Sequence, residues 1–357
     1  MAAAIGSTFL IDPSVTLIRS AAASATIGYG VILTDDALDG GGAGSFLPFS
    51  TATGIAAALA ASKISATTAA NLTAAISQDG LTPTIYVVTY GVGVPSDALD
   101  LAIAAGLDVG VFMLQTTSES ALETLAVWLA ADDRRKAKYL MIAQSADTGL
   151  YGGSKPASLS DLEQLGCRVW YSADTQPTAA AYLGRLAGSN LLKTPPAARY
   201  RPLGVLPTTA TETQVQAITD NDASVVTDFD FGSSADERIT LGTKAYNGND
   251  WSASVRLVYI ARQLAAAMAG VIQQAAIAGE GLYATADGFA KTNAAAEGFL
   301  GQLPAAYFVP QTTAPKGYTV VSEATTSGDD VFITVYVTCW FGREATKIAI
   351  PVTGQEV

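Results

Sequence analysis

Short apolar runs alternate with helical segments through the first half of the chain, and this alternation constrains the fold more than any other feature. Runs with the length and residue types of buried strands occupy residues 29–34, 84–90, 109–114, 139–144 and 168–171. Apolar residues at helical spacing lie between them, in residues 51–77, 91–106, 119–129 and 159–165. Strands separated by helices are typical of a largely parallel sheet covered by helices. The sequence therefore predicts a mixed α/β fold with a helix-covered β-sheet core.

A second set of elements follows the proline-rich residues 194–202. Its main feature is a long apolar helix predicted at residues 251–278, with Asp250 or Asn249 as its cap. We expect the face opposite its apolar stripe, with Arg256, Tyr259 and Gln263, to meet a neighbour. The other patterns predict helices after Thr211 and at residues 287–300, and strand-like runs within residues 202–207, 225–231, 236–243, 303–310 and 317–324.

The closing stretch "VFITVYVTCWFGREATKIAIPV" alternates side chains as a strand does, from Val331 to Phe341. A turn at residues 342–344 and a second alternating run at residues 346–352 complete the pattern of a β-hairpin. An isolated hairpin is marginal in water, so it needs further strands from the same chain or from another copy. The predicted organisation is an extended arm and strand at residues 1–27, an α/β lobe at 28–199, a second α/β lobe at 200–328 and a hairpin or arm at 329–357.

Composition excludes several classes of function. The net charge of −12 argues against a surface that follows nucleic acid. The chain contains no histidine, so it cannot form a Ser-His-Asp or Cys-His catalytic arrangement and lacks the commonest zinc ligand. Cys167 and Cys339 are far apart in sequence and indicate buried thiols in place of a disulfide or metal site. We expect no cofactor, no metal and no catalytic residues.

The N-terminal 25 residues predict an extended arm and not a signal peptide, because no basic residue precedes the apolar part and Asp12-Pro13 interrupts it. The apolar residues 251–278 carry Arg256 and Arg262, so we expect no membrane insertion. The Gly91-x-Gly93 turn after a strand is also found in dinucleotide sites, but Ser96 stands where the third glycine of that motif should be. A plain strand-to-helix turn is the favoured interpretation.

Several segments in a fixed order carry a resemblance to a known family. These are "RPLGVLPTTATETQVQAI", "FGSSADERITLGTKAYNGNDW" with the long helix that follows, and "GYTVVSEA" with the closing strands. Together they resemble the tail sheath proteins of contractile-tailed bacteriophages over residues 200–352. The match is one of pattern order and has no catalytic signature. We expect this short chain to be without the inserted outer domains of larger members of that family.

The resemblance implies a structural, non-enzymatic protein of the phage virion, assembled in the host cytoplasm. Copies of the chain would form a helical polymer of stacked rings, hexameric in the family, around a tail tube protein, with baseplate and tail terminator proteins at the ends. Contraction would drive the tube through the host envelope. It also implies that terminal segments of one copy add strands to sheets of neighbouring copies, which fits the exposed polar groups of edge strands.

The residues implied in this strand exchange lie at both ends of the chain: Thr8, Phe9, Leu10, Ile11, Val15, Leu17, Ile18, Val331, Ile333, Val335, Val337, Thr346, Ile348, Ile350 and Val352. Candidate interface charges are Arg256, Arg343, Glu344 and Lys347. Two alternatives stay open at this point. One is another self-assembling protein, such as a tail tube subunit or a surface-layer protein, and the other is an α/β enzyme that binds a nucleotide near residues 91–95.

Overall fold

The computed structural model describes residues 26–78, 83–115, 119–131, 138–160, 162, 167–172, 176–192, 196, 203–228, 238–279, 282–327 and 330–341. Its centre is a six-stranded sheet in the order β2-β3-β1-β4-β5-β6, in which β2 is antiparallel and the other five strands are parallel. These strands are β1 (Tyr29–Thr34), β2 (Phe46–Phe49), β3 (Ile85–Thr89), β4 (Val109–Leu114), β5 (Leu140–Ser145) and β6 (Arg168–Tyr171). The predicted α/β class is confirmed.

Two antiparallel strand pairs lie outside this sheet. The first pair is β7 (Val225–Asp228) with β8 (Arg238–Leu241), and it joins the end of the large sheet through a bridge between Trp170 and Ser224. The second pair is β9 (Tyr318–Ser327) with β10 (Asp330–Cys339). Gly328 and Asp329 separate β9 from β10 in sequence, and a Gly-Asp pair between alternating runs is a hairpin signal.

Eight longer helices surround these sheets in the described part of the chain. They are α1 (Ala52–Ala60), α2 (Ala66–Ile76), α3 (Pro95–Ala104), α4 (Glu119–Ala130), α5 (Thr178–Gly188), α6 (Glu212–Asp220), α7 (Trp251–Ile277) and α8 (Ala286–Leu300). Local chemistry sets several of their starts. Asp250 accepts the backbone N–H of Ala253 at 3.1 Å to cap α7, and Thr211 forms a reciprocal capping box with Gln214 at α6.

The helices form two layers, one on each face of the central sheet. Buried side chains of α3, α4 and α6 cover one face, while those of α1, α2, α5 and α7 cover the other. The second layer continues into α8 and the β9–β10 hairpin, because Ala296, Leu300, Val335 and Val337 belong to the same apolar cluster. The hairpin is therefore fixed to the α/β body by a shared core.

Two predicted strands do not form, and two elements appear that the sequence did not predict. Residues 203–207 contain no strand, and residues 305–307 form a single 3-10 turn between Pro304 and Phe308. Proline has no N–H for a strand ladder, which explains both cases. The unpredicted elements are β2, whose four residues include Pro48, and α5, in which residues 178–184 are all buried.

Helix α7 is the one helix in the described ranges that is long and apolar enough to cross a membrane. Its first five turns lie against the body of the protein, with Trp251, Val255 and Leu264 buried. Arg262 holds it to the sheet, since Nη1 donates to the carbonyls of Val109 at 2.6 Å and Lys138 at 3.0 Å. The helix belongs to the core of the fold.

Arg168 is fully buried at the start of β6 and connects three parts of the protein. Its guanidinium carbon lies 4.2 Å from the ring centroid of Tyr182 on α5 and 4.6 Å from that of Trp170. Its Nε donates to the hydroxyl of Ser224 at 3.0 Å, and Nη2 donates to the carbonyl of Gly242 at 3.0 Å. The side chain thereby ties the large sheet to α5 and to the β7–β8 pair.

We expect Arg168→Met to lower the free energy of unfolding by about 2 kcal/mol, because two buried acceptors lose a charged donor. Methionine fills most of the same volume, so little of this loss comes from a cavity. Urea unfolding followed by circular dichroism measures the change. The control is Lys63→Met, which removes a solvent-exposed ion pair with Asp39 and should cost less than about 1 kcal/mol. Equal losses in the two variants would contradict this role of Arg168.

Candidate assembly interface

The β9–β10 hairpin packs one face on α8 and leaves the other face partly open. The hydroxyl of Ser322 on β9 donates to Oδ1 of Asn293 at 2.7 Å and lies 2.9 Å from the hydroxyl of Thr292, and both partners are on α8. Val335 and Val337 on β10 point to the same side and are 4% and 7% exposed. The opposite face includes Val321, which is 55% exposed, and Thr334, which is buried. The hairpin thus has an apolar face toward the body and a more polar face away from it.

The outer edge of β10 is defined by the hydrogen-bond pattern of the hairpin. The N–H of Trp340 donates to the carbonyl of Gly317 at 2.9 Å, one position beyond the Cys339–Tyr318 pair. Directly opposed residues of an antiparallel pair alternate between bonded and non-bonded positions. The even-numbered residues of β10 therefore bond to β9, and the odd-numbered ones direct their N–H and C=O groups outward. The outward set is Val331, Ile333, Val335, Val337 and Cys339.

The end of this edge is already paired inside the chain. Phe341, the next odd-numbered residue, forms an antiparallel bridge with Phe308, and the N–H of Val309 donates to the carbonyl of Trp340 at 2.7 Å. Among the described residues, no third strand lies beside β9 or β10. Along the described residues this edge is about 30 Å long, at roughly 3.4 Å per residue, and an edge of this kind is where a further strand can add.

The structure confirms the predicted strand and adds a partner, β9, that the sequence pattern did not identify. In the structure β10 pairs with β9 along one edge. The closing pattern predicts that residues 331–341 also pair with residues 346–352, and this pairing stays a prediction. The predicted turn and second run lie outside the described residues. So do the N-terminal candidates and the three terminal charges, namely Thr8, Phe9, Leu10, Ile11, Val15, Leu17, Ile18, Arg343, Glu344, Thr346, Lys347, Ile348, Ile350 and Val352. The Gly328-Asp329 pair in the sequence is the signal that could have identified β9 as the partner.

Arg256 is the one candidate interface charge that the structure describes, and it lies inside the subunit. Its side chain is buried, and the guanidinium carbon is 4.5 Å from the ring centroid of Tyr307. Tyr259 is buried as well, so these two residues of the expected outward face of α7 are not available to a neighbour. The apolar stripe of α7 predicts one buried face. It does not show that a second face is also covered by the same chain, so the face open to a neighbour could not be predicted from this helix alone.

The crevice at the carboxyl ends of β1 and β4 is where doubly wound folds commonly bind ligands. Here Asp36 fills the position at the start of α2 that an anion would take. Its carboxylate accepts the backbone N–H of Ser65 at 2.7 Å and the hydroxyl of Thr68 at 2.5 Å. Thr68 also contacts the side chains of Thr34 and Gln115. The chain's own groups thus satisfy the helix terminus in this crevice.

Two cysteines and a buried aspartate are further chemistry-bearing groups among the described residues. Burial raises the pKa of the Cys167 and Cys339 thiols to about 12, so neither forms a nucleophilic thiolate near neutral pH. Asp222 is nearly buried and pairs with Lys155 at 2.8 Å and Lys244 at 2.7 Å. Within the described ranges, no three Cys, Asp or Glu residues are grouped as a metal site.

Solved structures share this fold over nearly the whole chain. A chain of the anti-feeding prophage (AFP) helical sheath in its contracted state is 17% identical, with a TM-score of 0.59, over 96% of this chain and 99% of that one. A chain of the six-fold symmetrised AFP baseplate is 16% identical, with a TM-score of 0.59, over 98% and 100% of the two chains. A scan against protein-family models and a search of curated proteins find no match.

Proposed function

We propose that this chain is the sheath subunit of a contractile tail-like assembly and acts by polymerising, with no catalytic step. The observation that carries the proposal is the likeness to the contracted AFP sheath, which spans 96% of this chain and 99% of that chain. Two features of the chain support it independently. The hairpin has an edge that can accept a strand, and both chain ends carry strand-like apolar runs that can supply one.

The proposed link between subunits joins residues 346–352 of one copy to the outer edge of β10 in the next copy. Pro351 has no N–H, so in a paired strand it must face away from the acceptor. Thr346, Ile348, Ile350 and Val352 have the opposite parity and would then bond to β10. The backbone groups of Thr346 and of the three apolar residues then bond across the junction. The backbone groups of Lys347 point away from it.

Side-chain matching favours an antiparallel arrangement of this added strand. In an antiparallel pair, bonded residues stand directly opposite each other with side chains on one face. Ile348 and Ile350 would therefore lie beside Val335 and Val337, on the apolar side that packs against α8. A parallel arrangement would place them beside Tyr336 and the other residues of the polar side. The apolar partners make the antiparallel register the better one.

The N-terminal arm is the second proposed donor, through residues 8–11 and 15–18. Donation from both ends would connect each subunit to two neighbours by backbone hydrogen bonds. A heterologous contact that repeats without closing generates a helical polymer. In this proposal the rings are hexameric and surround a tail tube protein, with baseplate and terminator proteins at the two ends. We extend the proposal to a phage-type tail that drives its tube through a host envelope.

The same strand pairing between subunits would also permit contraction. Subunits that stay connected by paired strands can rotate as rigid bodies while their side-chain interfaces exchange. An extended lattice held in a metastable state would then pass to a more compact one without nucleotide hydrolysis. The terminal charges Arg343, Glu344 and Lys347 are proposed contributors to these exchangeable interfaces. Each exposed pair adds about 0.2–1 kcal/mol, which becomes substantial only through repetition.

We expect the purified full-length chain to form hollow or striated cylinders that negative-stain electron microscopy detects directly. Polymerisation follows because every subunit carries both the donor segments and the acceptor edge. Analytical ultracentrifugation of the same sample should show species far larger than a ring. A chain that stays a small soluble oligomer, with or without an added inner tube, would contradict the proposed function.

A further inference from the structure

An open apolar groove runs between α1 and α2 on the outside of the helical layer. Its volume of about 630 Å³ falls in the range of binding clefts. Leu59 and Leu206 on its rim are 40% and 53% exposed. The lining is formed mainly by small apolar side chains from the two helices: Ala52, Ile55, Ala56, Ala66, Ala69 and Ala70.

The surface around this groove is almost free of charge. Between Asp39 and Asp79 the only charged side chain is that of Lys63. Helices that face water normally carry charged residues on the open side, but nearly all exposed positions of α1 are Ala, Thr or Gly. Depletion of charge around an apolar depression is typical of a surface that protein covers.

Strand β1 begins close to the strand that leads into this groove. Gly30, Ile85 and Phe49 stand side by side across β1, β3 and β2, at the edge of the sheet where β1 begins. Helix α1 starts three residues after Phe49. Gly30 thus lies two strand spacings, about 10 Å, from Phe49 on the strand that leads into α1 and the groove. Residues 12–25 can span up to about 45 Å when extended, which is enough to place residues 5–11 in the groove.

The composition of the N-terminal segment suits the groove better than that of the other end. Residues 1–11 contain no charged side chain and include Ile5, Phe9, Leu10 and Ile11. Residues 342–357 carry Arg343, Glu344, Lys347 and Glu356, which an uncharged groove would leave without partners. An exposed apolar arm and an exposed apolar groove on one molecule each favour aggregation, and contact between them removes both surfaces from water.

We propose that, before assembly, residues 5–11 lie in the α1–α2 groove of their own subunit. The arm is thereby held away from other copies until a lattice offers it a strand partner. The docking does not depend on the proposed function, whereas the later exchange of the arm into a lattice rests on it.

Thiol labelling of the unassembled full-length chain tests this docking. Ala70→Cys places a thiol in the groove, and Ala57→Cys places one on α1 outside the groove lining. Cys167 is buried and Cys339 is half-buried, and burial raises the pKa of both thiols to about 12, so they contribute little background. We expect Leu10→Asp, or deletion of residues 2–11, to raise the labelling rate at position 70 by about tenfold or more, with no change at position 57. The effect should be the same across a wide dilution series.

Three results would overturn the proposal. An unchanged rate at position 70 would show that the arm does not cover the groove. An equal increase at both positions would show general loosening of the fold. Protection that disappears on dilution would identify a second copy as the occupant. Because none of these readouts requires cylinders, failure of this proposal is distinguishable from failure of the proposed function.

Discussion

Ile350→Asp should abolish cylinder formation by the purified chain, whereas Ala349→Asp, one residue away, should leave it intact. In the proposed register Ile350 faces the apolar side of the hairpin, next to Val335 and Val337, while Ala349 faces outward. A carboxylate forced into that apolar contact without a partner costs several kcal/mol, and the cost recurs at every junction of the polymer. Negative-stain microscopy and sedimentation of both variants measure the difference.

Comparison of these two variants distinguishes an effect of the strand register from the general effect of an added negative charge. Both variants change the net charge equally, so a difference between them reports which way each side chain points. Deletion of residues 342–357 gives the limiting case, and we expect it to remove cylinders while circular dichroism shows a folded subunit. Equal effects of the two substitutions would reject the register that Pro351 implies. Cylinders formed by the truncated chain would reject residues 346–352 as a donor.

Much of the central sheet could be predicted because buried parallel strands have a distinctive sequence. Such strands are apolar on both faces and appear as continuous runs, as "VGVFML" does in β4. The predicted limits of β1 and β6 agree with the structure residue for residue. The predicted Asp250 cap of α7 is also confirmed. It could be predicted because a carboxylate directly before an apolar helix accepts the free N–H groups of the first turn.

The unpredicted elements lack such local signals. Helix α5 is buried along its whole first half, from Thr178 to Gly184, so it has no polar side to reveal a helical period. Strand β2 is short and contains Pro48, which is tolerated because the strand lies at the edge of the sheet. The inward position of Arg256 depends on where residues 305–307 pack, which no property of α7 alone determines. These features follow from tertiary contacts.

The candidate interface likewise has one part that local sequence predicts and one part that depends on tertiary contacts. Alternation alone identified Val331, Ile333, Val335 and Val337 as one set along a strand. The hydrogen-bond pattern adds that this set carries the outward backbone groups, which the sequence could not give because it depends on pairing with β9. Whether residues of another copy occupy that edge is a property of the assembly, so it stays a prediction.

Gly184→Ala should lower the free energy of unfolding by about 3 kcal/mol, although alanine is the better helix former. Gly184 lies on α5 where that helix crosses α2 at the closest approach. A Cβ at this position would overlap the carbonyl of Ala75 and lie 2.6 Å from the Cα of that residue. Both contacts are with backbone, so no side chain can turn aside and the two helices must separate. That separation would loosen the layer that supports α7 and the hairpin.

Gly298→Ala is the matched control for this substitution. Gly298 lies within α8, and a Cβ there would meet no atom within 4 Å. The same chemical change should therefore stabilise the chain by about 0.5–1 kcal/mol, since alanine loses less backbone entropy in a helix. Thermal and urea unfolding of the two variants compare them directly. Opposite signs would show that the α2–α5 crossing needs glycine, whereas a neutral or stabilising Gly184→Ala would show that the crossing can widen without loss.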